Sequence, residues 1–325
     1  MELTNIKVCV YGLGFVGNSI YYSFKNKGMC ENINLFGFDK FKNGGIGELS
    51  NGLISDIIFM ALPTMYDENS GCYDKSAIND CCDYLSTNNY SGLIVIKSTV
   101  EPNTTDNLAI TYPNLSFVHN PEFLTARTAY EDFHNQTHIV LGKSNSCSNN
   151  KILLLKQFYI CYYPEADISI CSSLESESMK IYCNSFYAVK VQFFTELYLL
   201  TKSNGSDYNT IVKMMLKNNW INPSHTQVPG PDGKISYGGL CFPKDTNALN
   251  KYMEKYDNPN KVLNACIEER NLLRDDHHNI LQTNTNSNTK TIPKSKITLI
   301  TDNSINDPID NSTNIIKYQD IENNN

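Results

Sequence analysis

A short apolar run at residues 6–11 opens directly onto Gly12-Leu13-Gly14-Phe15-Val16-Gly17. This Gly-x-Gly-x-x-Gly spacing constrains the fold more than any other feature of the chain. Alone it is a weak signal. Here it follows a predicted strand, opens a helical pattern over residues 15–27, and leads to a second apolar run at residues 33–38 that ends on Asp39. The result reads as a βαβ unit with an acid about 20 residues past the last glycine. The glycines let the backbone approach a pyrophosphate, and the helix N-terminus offers it N–H donors. A carboxylate at Asp39 is expected to accept from ribose hydroxyls and to repel a 2′-phosphate. NAD is therefore expected over NADP, with Lys40 next to the acid weakening the choice a little. The bland alternative is a tight turn with no ligand.

Further apolar runs at residues 57–62, 93–96, 117–118 and 138–141 read as strands of a parallel sheet buried on both faces. From residue 173 to about 202 the period changes. Met179, Cys183, Phe186, Val189 or Lys190, Phe193, Leu197 and Leu200 recur at three- and four-residue steps, as on one helix face. Such a helix would be about 45 Å long and would bridge domains or build a dimer contact. Asn204-Gly205 is its expected stop. Helical patterns return at 208–218, 242–255 and 261 to about 277, around a loop rich in Pro and Gly at 222–239. The expected fold is α/β: a Rossmann-type doubly wound parallel sheet, then a long central helix and a smaller all-helical domain. The expected boundaries are 1–172, 173–281 and a low-complexity tail at 282–325, read as mostly disordered with one strand-like piece at 296–301.

With 41% hydrophobic and 19% charged residues, the 325-residue chain is globular in composition. Its formal net charge of −7 argues against nucleic acid or an anionic membrane as partner. No apolar stretch is long enough to span a bilayer, and the first residues lack the plan of a signal peptide. The 11 cysteines show no CxxC pair, which points to a reducing compartment and a cytoplasmic protein. No metal site is expected.

Several polar motifs sit where strands end. Pro63-Thr64 follows one run, and Lys97-Ser98-Thr99-Val100-Glu101-Pro102 another. The carboxyl ends of strands are where open α/β sheets bind ligands. His119-Asn120-Pro121-Glu122-Phe123-Leu124 places a carboxylate at a further strand end. Lys180 and Asn184 lie four apart on the long helix, hence on one face; a solvated charged face is the bland reading. The sharpest signal is Tyr237-Gly238-Gly239-Leu240-Cys241-Phe242-Pro243-Lys244-Asp245. Two glycines allow close backbone approach and a cysteine follows near a helix start. The helix dipole and Lys244 are expected to make this thiol accessible and unusually acidic. A buried structural cysteine is the alternative.

Read in order, YGLGFVG, ALPT, KSTVEP, HNPEFL, ESESMKIYCNSFYAVKVQFFTE and GGLCFPKD resemble the UDP-glucose and GDP-mannose 6-dehydrogenases, the UDP-glucose branch in particular. The resemblance covers roughly residues 5–278 and implies a shortened form without most of a C-terminal UDP-binding domain. It implies NAD-dependent, four-electron oxidation of a nucleotide sugar's C6 alcohol, with UDP-glucose as substrate and UDP-glucuronate as product. GDP-mannose, another nucleotide sugar, or nucleotide binding without turnover are the alternatives. It implies that Cys241 is the nucleophile, that Lys180 and Asn184 steady the alkoxide, that Asp245 and Thr99 position water, and that Glu122 is the acid-base. It assigns the cofactor to Gly12, Leu13, Gly14, Phe15, Val16, Gly17, Asp39, Pro63, Thr64, Ser98, Thr99 and Lys244. The sugar nucleotide goes to Glu122, Phe123, Leu124, Lys180, Asn184, Tyr237, Gly238 and Gly239, with the loop at 228–233 holding the nucleotide. A homodimer through the central helix is implied as well. Ala126 stands where the family has a second glutamate, and Arg127 where it has a small residue. Ser236 replaces a usual glycine. His225 falls near the position of an arginine that reaches across the dimer.

Overall fold

The computed structural model describes residues 6–274. Seven strands form one sheet in the order β2-β1-β3-β6-β7-β8-β9. They are β1 (Val8–Tyr11), β2 (Leu35–Phe38), β3 (Ile57–Met60), β6 (Leu93–Ile96), β7 (Phe117–His119), β8 (His138–Lys143) and β9 (Asp167–Ser172). A separate two-stranded hairpin, β4 (Tyr66–Asp67) and β5 (Cys72–Tyr73), follows β3. The strands from β2 to β7 are parallel. β8 runs antiparallel to β7, and β9 pairs parallel with β8. The sheet is thus mostly parallel, with a reversed pair at one edge. β9 escapes sequence reading because its residues are half-exposed and carry no apolar run.

Helices cover both faces, and alternation along each strand decides which residue meets which helix. Val8 and Val10 point into a core with Ile20 and Phe24 of α1 (Phe15–Asn26), Phe133 of α4 (Ala129–His134) and Phe158 of α5 (Asn149–Tyr162). Cys9 and Tyr11 point the other way, onto Ile78 and Cys82 of α2 (Ser76–Thr87) and Leu108 of α3 (Thr104–Thr111). Burial on both faces is why these strands read as unbroken apolar runs.

The long helix α6 (Ser173–Asn204) has 32 residues and a length of about 48 Å. Ser172 and Glu175 form a reciprocal capping box at its start, and Gly205 ends it in the left-handed region at φ 76°. Its first turns lie so close to β8 that a Cβ at Gly142 would meet Ser176 at 2.4 Å. Farther along, α7 (Tyr208–Leu216), α8 (Phe242–Lys255) and α9 (Lys261–Leu273) pack around it.

The apolar stripe read from the sequence lies partly outside: Phe186, Phe193 and Leu200 are 63%, 52% and 57% exposed, while Val189 and Leu197 pack against core clusters. The buried side of α6 carries Ser176, Glu177, Lys180, Asn184 and Gln192 together with Ile181, Ala188 and Phe194. The expected tail at 282–325, its strand-like piece at 296–301 and the end of the last helix lie outside the described residues. Among the described residues, no helix is long and apolar enough to cross a membrane, and no His/Cys/Asp/Glu cluster suits a metal.

Candidate active site

The glycine turn divides its labour. Gly12 has φ 82°, and a Cβ there would meet the carbonyl oxygen of Ala61 at 2.5 Å. A Cβ on Gly17 would meet the carbonyl oxygen of Gly12 at 1.7 Å, while one on Gly14 would meet nothing within 4 Å. The outer two glycines therefore serve close packing, and the middle one faces open space. Beside that space α1 begins, with no side-chain cap and no acid in its first turn. Its free N–H groups and open approach fit a dinucleotide pyrophosphate.

Asp39 is already tied into this turn. Its Oδ2 accepts from the Leu13 N–H at 2.8 Å, and its Oδ1 from the Phe41 and Lys42 N–H groups at 3.0 and 2.9 Å. Partial burial pushes the carboxyl up, but these donors and the Lys42 charge outweigh it and hold Asp39 below the ordinary range. It is an anion at neutral pH. The cation at this corner is Lys42, which donates to the Leu13 carbonyl at 2.5 Å. Lys40, the cation singled out from the sequence, lies instead over the ring of Phe41. The loops after β3 and β6 are laced together. Thr64 Oγ1 donates to the Thr99 carbonyl at 2.8 Å, and Ser98 Oγ to the Leu62 carbonyl at 2.6 Å.

A second cluster forms around the start of α8. Cys241 is its N-cap residue and is exposed. Pro243, Lys244 and Asp245 fill the first turn. Asp245 is fully buried and is the hub of the cluster. Its Oδ2 accepts from Asn184 Nδ2 at 2.6 Å; its Oδ1 accepts from Lys244 Nζ at 2.6 Å and from the Tyr73 phenol at 2.5 Å. One turn before Asn184 on α6, Lys180 pairs with Glu122 at 3.2 Å and lies over the ring of Phe123 at 5.4 Å. Glu122 also accepts from the Leu124 N–H at 2.6 Å. Beside it opens a cavity of about 510 Å³, lined by Phe123, Thr125, Asp132 and His138 among others.

The electrostatics correct the expected acidity of Cys241. Although the residue keeps accessible surface, protein crowded around the sulfur raises the thiol's pKa, and the Asp245 carboxylate adds to that. Lys244 and Lys180 pull it down, Glu122 pushes it up, and the net shift is upward. The sequence reading counted Lys244 and the helix dipole without the buried acid that neutralises the lysine.

Lys97, behind this loop, is fully buried. Its Nζ donates to Asn120 Oδ1 at 3.0 Å, and burial brings its pKa down to about 7. His119 beside it meets Ser176 Oγ at 2.8 Å through Nδ1, and burial lowers its pKa to about 3.

Not every expected residue joins the cleft. The Tyr237 side chain is buried among Ala188 and Cys266. Gly238 is required for another reason: a Cβ there would meet the Arg274 guanidinium at 2.3 Å, which also holds the Ile235 and Ser236 carbonyls. In the loop at 228–233, Asp232 is paired to Arg274 at 2.5 Å. Ala126 and Arg127 are exposed. His225 stacks on Tyr187 at 4.6 Å between ring centres and meets Phe242 edge-on. Sequence reasoning missed Tyr73, Lys97 and Lys42. Lys97 lies inside a quoted motif, but the two-residue strand that delivers Tyr73 has no signal of its own.

Comparison with known proteins gives one direction. Residues 49–160 match the family model for the UDP-glucose/GDP-mannose dehydrogenase family, NAD binding domain, and residues 174–271 match that family's central domain. The chain is 32% identical over 240 residues to a UDP-glucose 6-dehydrogenase of Rickettsia felis, covering 70% of this chain and 50% of the relative. It is 33% identical over 227 residues to that of Rickettsia bellii, covering 68% and 49%. The chain thus spans about half the length of these curated relatives. Among solved structures, its fold is similar to a UDP-glucose dehydrogenase from Pyrobaculum islandicum. The TM-score is 0.68 at 21% identity, over 82% of this chain and 68% of the other. It is also similar to a GDP-mannose dehydrogenase from Pseudomonas aeruginosa, with TM-score 0.56 at 21% identity over 82% and 69%.

Proposed function

Because the chain belongs to the UDP-glucose/GDP-mannose dehydrogenase family, we propose that it oxidises the C6 alcohol of UDP-glucose to a carboxylate, with Cys241 as the covalent nucleophile. One observation carries this reading. An exposed cysteine begins α8 in the same cluster as a Lys180–Glu122 pair and a buried Asn184–Asp245–Lys244 network. Bound NAD supplies the hydride acceptor. Residues 1–172 are proposed to hold it, with the Gly12–Gly17 turn on the pyrophosphate and Asp39 on the ribose. Residues 173–281 present the sugar.

Bound NAD would accept one hydride in each of two oxidations, alcohol to aldehyde and thiohemiacetal to thioester, each with loss of one hydroxyl proton. In the first, Lys180 donates to the oxygen where negative charge develops, and Asn184 lies one turn away. The Cys241 sulfur adds to the aldehyde carbon while Glu122 takes the thiol proton and passes it to the aldehyde oxygen, giving a thiohemiacetal and leaving Glu122 ionised. Water adds to the thioester with Glu122 taking its proton, the carbon–sulfur bond breaks, Glu122 returns the proton to the leaving sulfur, and the acid leaves as its carboxylate with the thiol restored.

Phe186, Phe193 and Leu200 stand at seven-residue steps on the exposed side of α6. We read them as the seam of a homodimer. All 11 cysteines are free thiols, which supports a cytoplasmic site of action.

The test is stoichiometry. Purified protein given NAD and limiting UDP-glucose is expected to form two NADH per sugar, with no aldehyde trapped by an amine reagent. One NADH per sugar with released aldehyde would refute the covalent scheme. Turnover of GDP-mannose but not UDP-glucose would move the substrate and keep the chemistry.

A further inference from the structure

We propose that Tyr73 is a positioning residue for the Cys241 site, its phenol fixing the Asp245 carboxylate one helical turn beyond the cysteine. The inference rests on the reading of Cys241 as the nucleophile, but it is drawn from other atoms. Tyr73 comes from β5, in the hairpin that follows β3, and lies 172 residues before its partner. It is 2% exposed. Its hydroxyl donates to the same Asp245 oxygen that accepts from Lys244, and the Lys244 ammonium stands 4.3 Å above its ring. Tyr73 thus touches both charged groups of the first turn of α8.

The phenol is itself held from behind. The Tyr73 N–H donates to Glu101, and its carbonyl accepts from Lys75 Nζ at 3.1 Å. Lys75 and Glu101 close the staple with an ion pair at 2.9 Å. Glu101 belongs to the loop after β6 that carries Thr99, so hairpin and loop are fixed as one piece. The ring packs with Ile181 of α6 and with Ala248 and Leu249 of α8. A phenol this constrained has one hydrogen-bonding direction, and it points at Asp245.

The charged and titratable groups around the pair are Lys244, Glu101, Lys75 and Cys241 for Tyr73, and Asp245, Lys244, Glu122 and Lys180 for Cys241. Of these, Asp245 is the strongest charge acting to keep the thiol protonated. A donor on a carboxylate draws off part of its charge and stops its rotation. Removing the hydroxyl leaves Asp245 a stronger, looser anion beside the sulfur. Tyr73→Phe removes that one oxygen and keeps the ring under Lys244.

The experiment alkylates the full-length protein with iodoacetamide from pH 7 to 10 and follows the peptide containing Cys241 by mass spectrometry, with Cys241→Ser as blank. Tyr73→Phe is expected to move the labelling midpoint upward by about half a unit to one unit. At pH 8 this slows labelling about threefold to tenfold, since one unit is a factor of ten. A folded Tyr73→Phe with the wild-type profile would overturn the proposal, whatever its melting temperature. If Tyr73→Phe does not fold, Glu101→Gln replaces it. Loosening the staple is expected to move the midpoint the same way by a smaller amount, and an unchanged profile again overturns the idea. Labelling needs no substrate, so it answers even if no sugar is oxidised. With turnover present, Tyr73→Phe is expected to lower kcat and leave KM near wild type. No turnover in the wild type would sink the proposed function and leave the labelling result standing.

Discussion

The molecule has two candidate centres built in opposite ways. The glycine turn is closed by neighbours in sequence: Leu13 and Asp39, 26 residues apart, hold each other, and the donors to the acid are backbone groups. The cluster around Asp245 takes Tyr73 from 172 residues away and Asn184 from 61, and every donor to the Asp245 carboxylate is a side chain. A centre closed by backbone needs only glycines and one acid in register. A centre closed by side chains needs several segments to arrive together, and its electrostatics belong to the set rather than to any member. The two should therefore respond differently to substitution.

The largest difference is expected at Cys241. Cys241→Ser keeps size and hydrogen bonding but gives a poor nucleophile and leaving group. Turnover of UDP-glucose should fall by several powers of ten, as nucleophile deletions elsewhere cost up to about 10⁶. NAD affinity should be unchanged, since no contact of the glycine turn involves this residue. Kinetics and NAD titration on one sample check both. Normal turnover with a lowered melting temperature would make Cys241 a packing residue and erase the contrast.

Next comes Lys180. Its pairing with Glu122 at 3.2 Å leaves donors for a developing alkoxide. Lys180→Met should lower kcat about 10²- to 10³-fold, the usual cost of one lost oxyanion donor. Thermal melts decide how much of this is structural, because the change also strands Glu122.

On the other side, Asp39→Asn should narrow the preference for NAD over NADP about ten- to a hundredfold, by removing a charge-assisted acceptor from the ribose and a repulsion from the 2′-phosphate. Comparing the two dissociation constants in wild type and variant checks this. Asn keeps one acceptor oxygen and sets an NH2 against the backbone N–H on the other side, so the melting temperature should also fall, by the equivalent of about 1–3 kcal/mol for the unmet donor. Equal binding of NADP by the wild type would show that Lys42 governs the corner.

Legibility in the sequence follows the same division. The sheet strands β1, β2, β3, β6, β7 and β8 could be read because burial writes unbroken apolar runs, and the glycine turn because its spacing is a local requirement. The residues of the second cluster could be named through ordered motifs, but not their mutual arrangement. The pull of Asp245 on Cys241 depends on which charges share a buried pocket, and spacing does not encode that. Tyr73 had no pattern because β5 has two residues. On α6 the sequence shows the apolar stripe but not that its inward side also carries Ser176, Glu177, Lys180 and Asn184, because polar residues buried through partners leave no periodic signal.

An effect of similar size is expected in stability rather than binding, as a pH dependence where α6 meets the start of α3. Glu177, buried on α6, accepts from the Thr105 N–H at 2.7 Å and from its hydroxyl at the start of α3. Burial raises its pKa from 4.5 to about 7, against those donors. The folded protein therefore keeps a proton that the unfolded chain has lost between pH 4.5 and 7. Unfolding releases that proton, so rising pH through this window costs stability; the slope is halved at pH 7, where the folded group is half-ionised, and vanishes above about pH 8. Two neighbours act with the other sign. Burial lowers His119 to about 3, so its contribution grows as pH rises from 3 toward 6.5. Lys97, lowered to about 7, adds stability as pH rises from 7 toward 10.5. The net curve of the wild type mixes all three, and only a difference isolates Glu177. Glu177→Gln keeps the acceptor for Thr105 and cannot hold the extra proton. The variant should gain on the wild type between pH 5 and 7, by on the order of 1–3 kcal/mol across the window, and the gap should level off above about pH 8. Urea midpoints for both proteins at four pH values measure it. Parallel curves from pH 5 to 8 would mean that Glu177 is ionised throughout. The polar face of α6 would then be as well solvated as the glycine turn, and the contrast between the two centres would lose its electrostatic half.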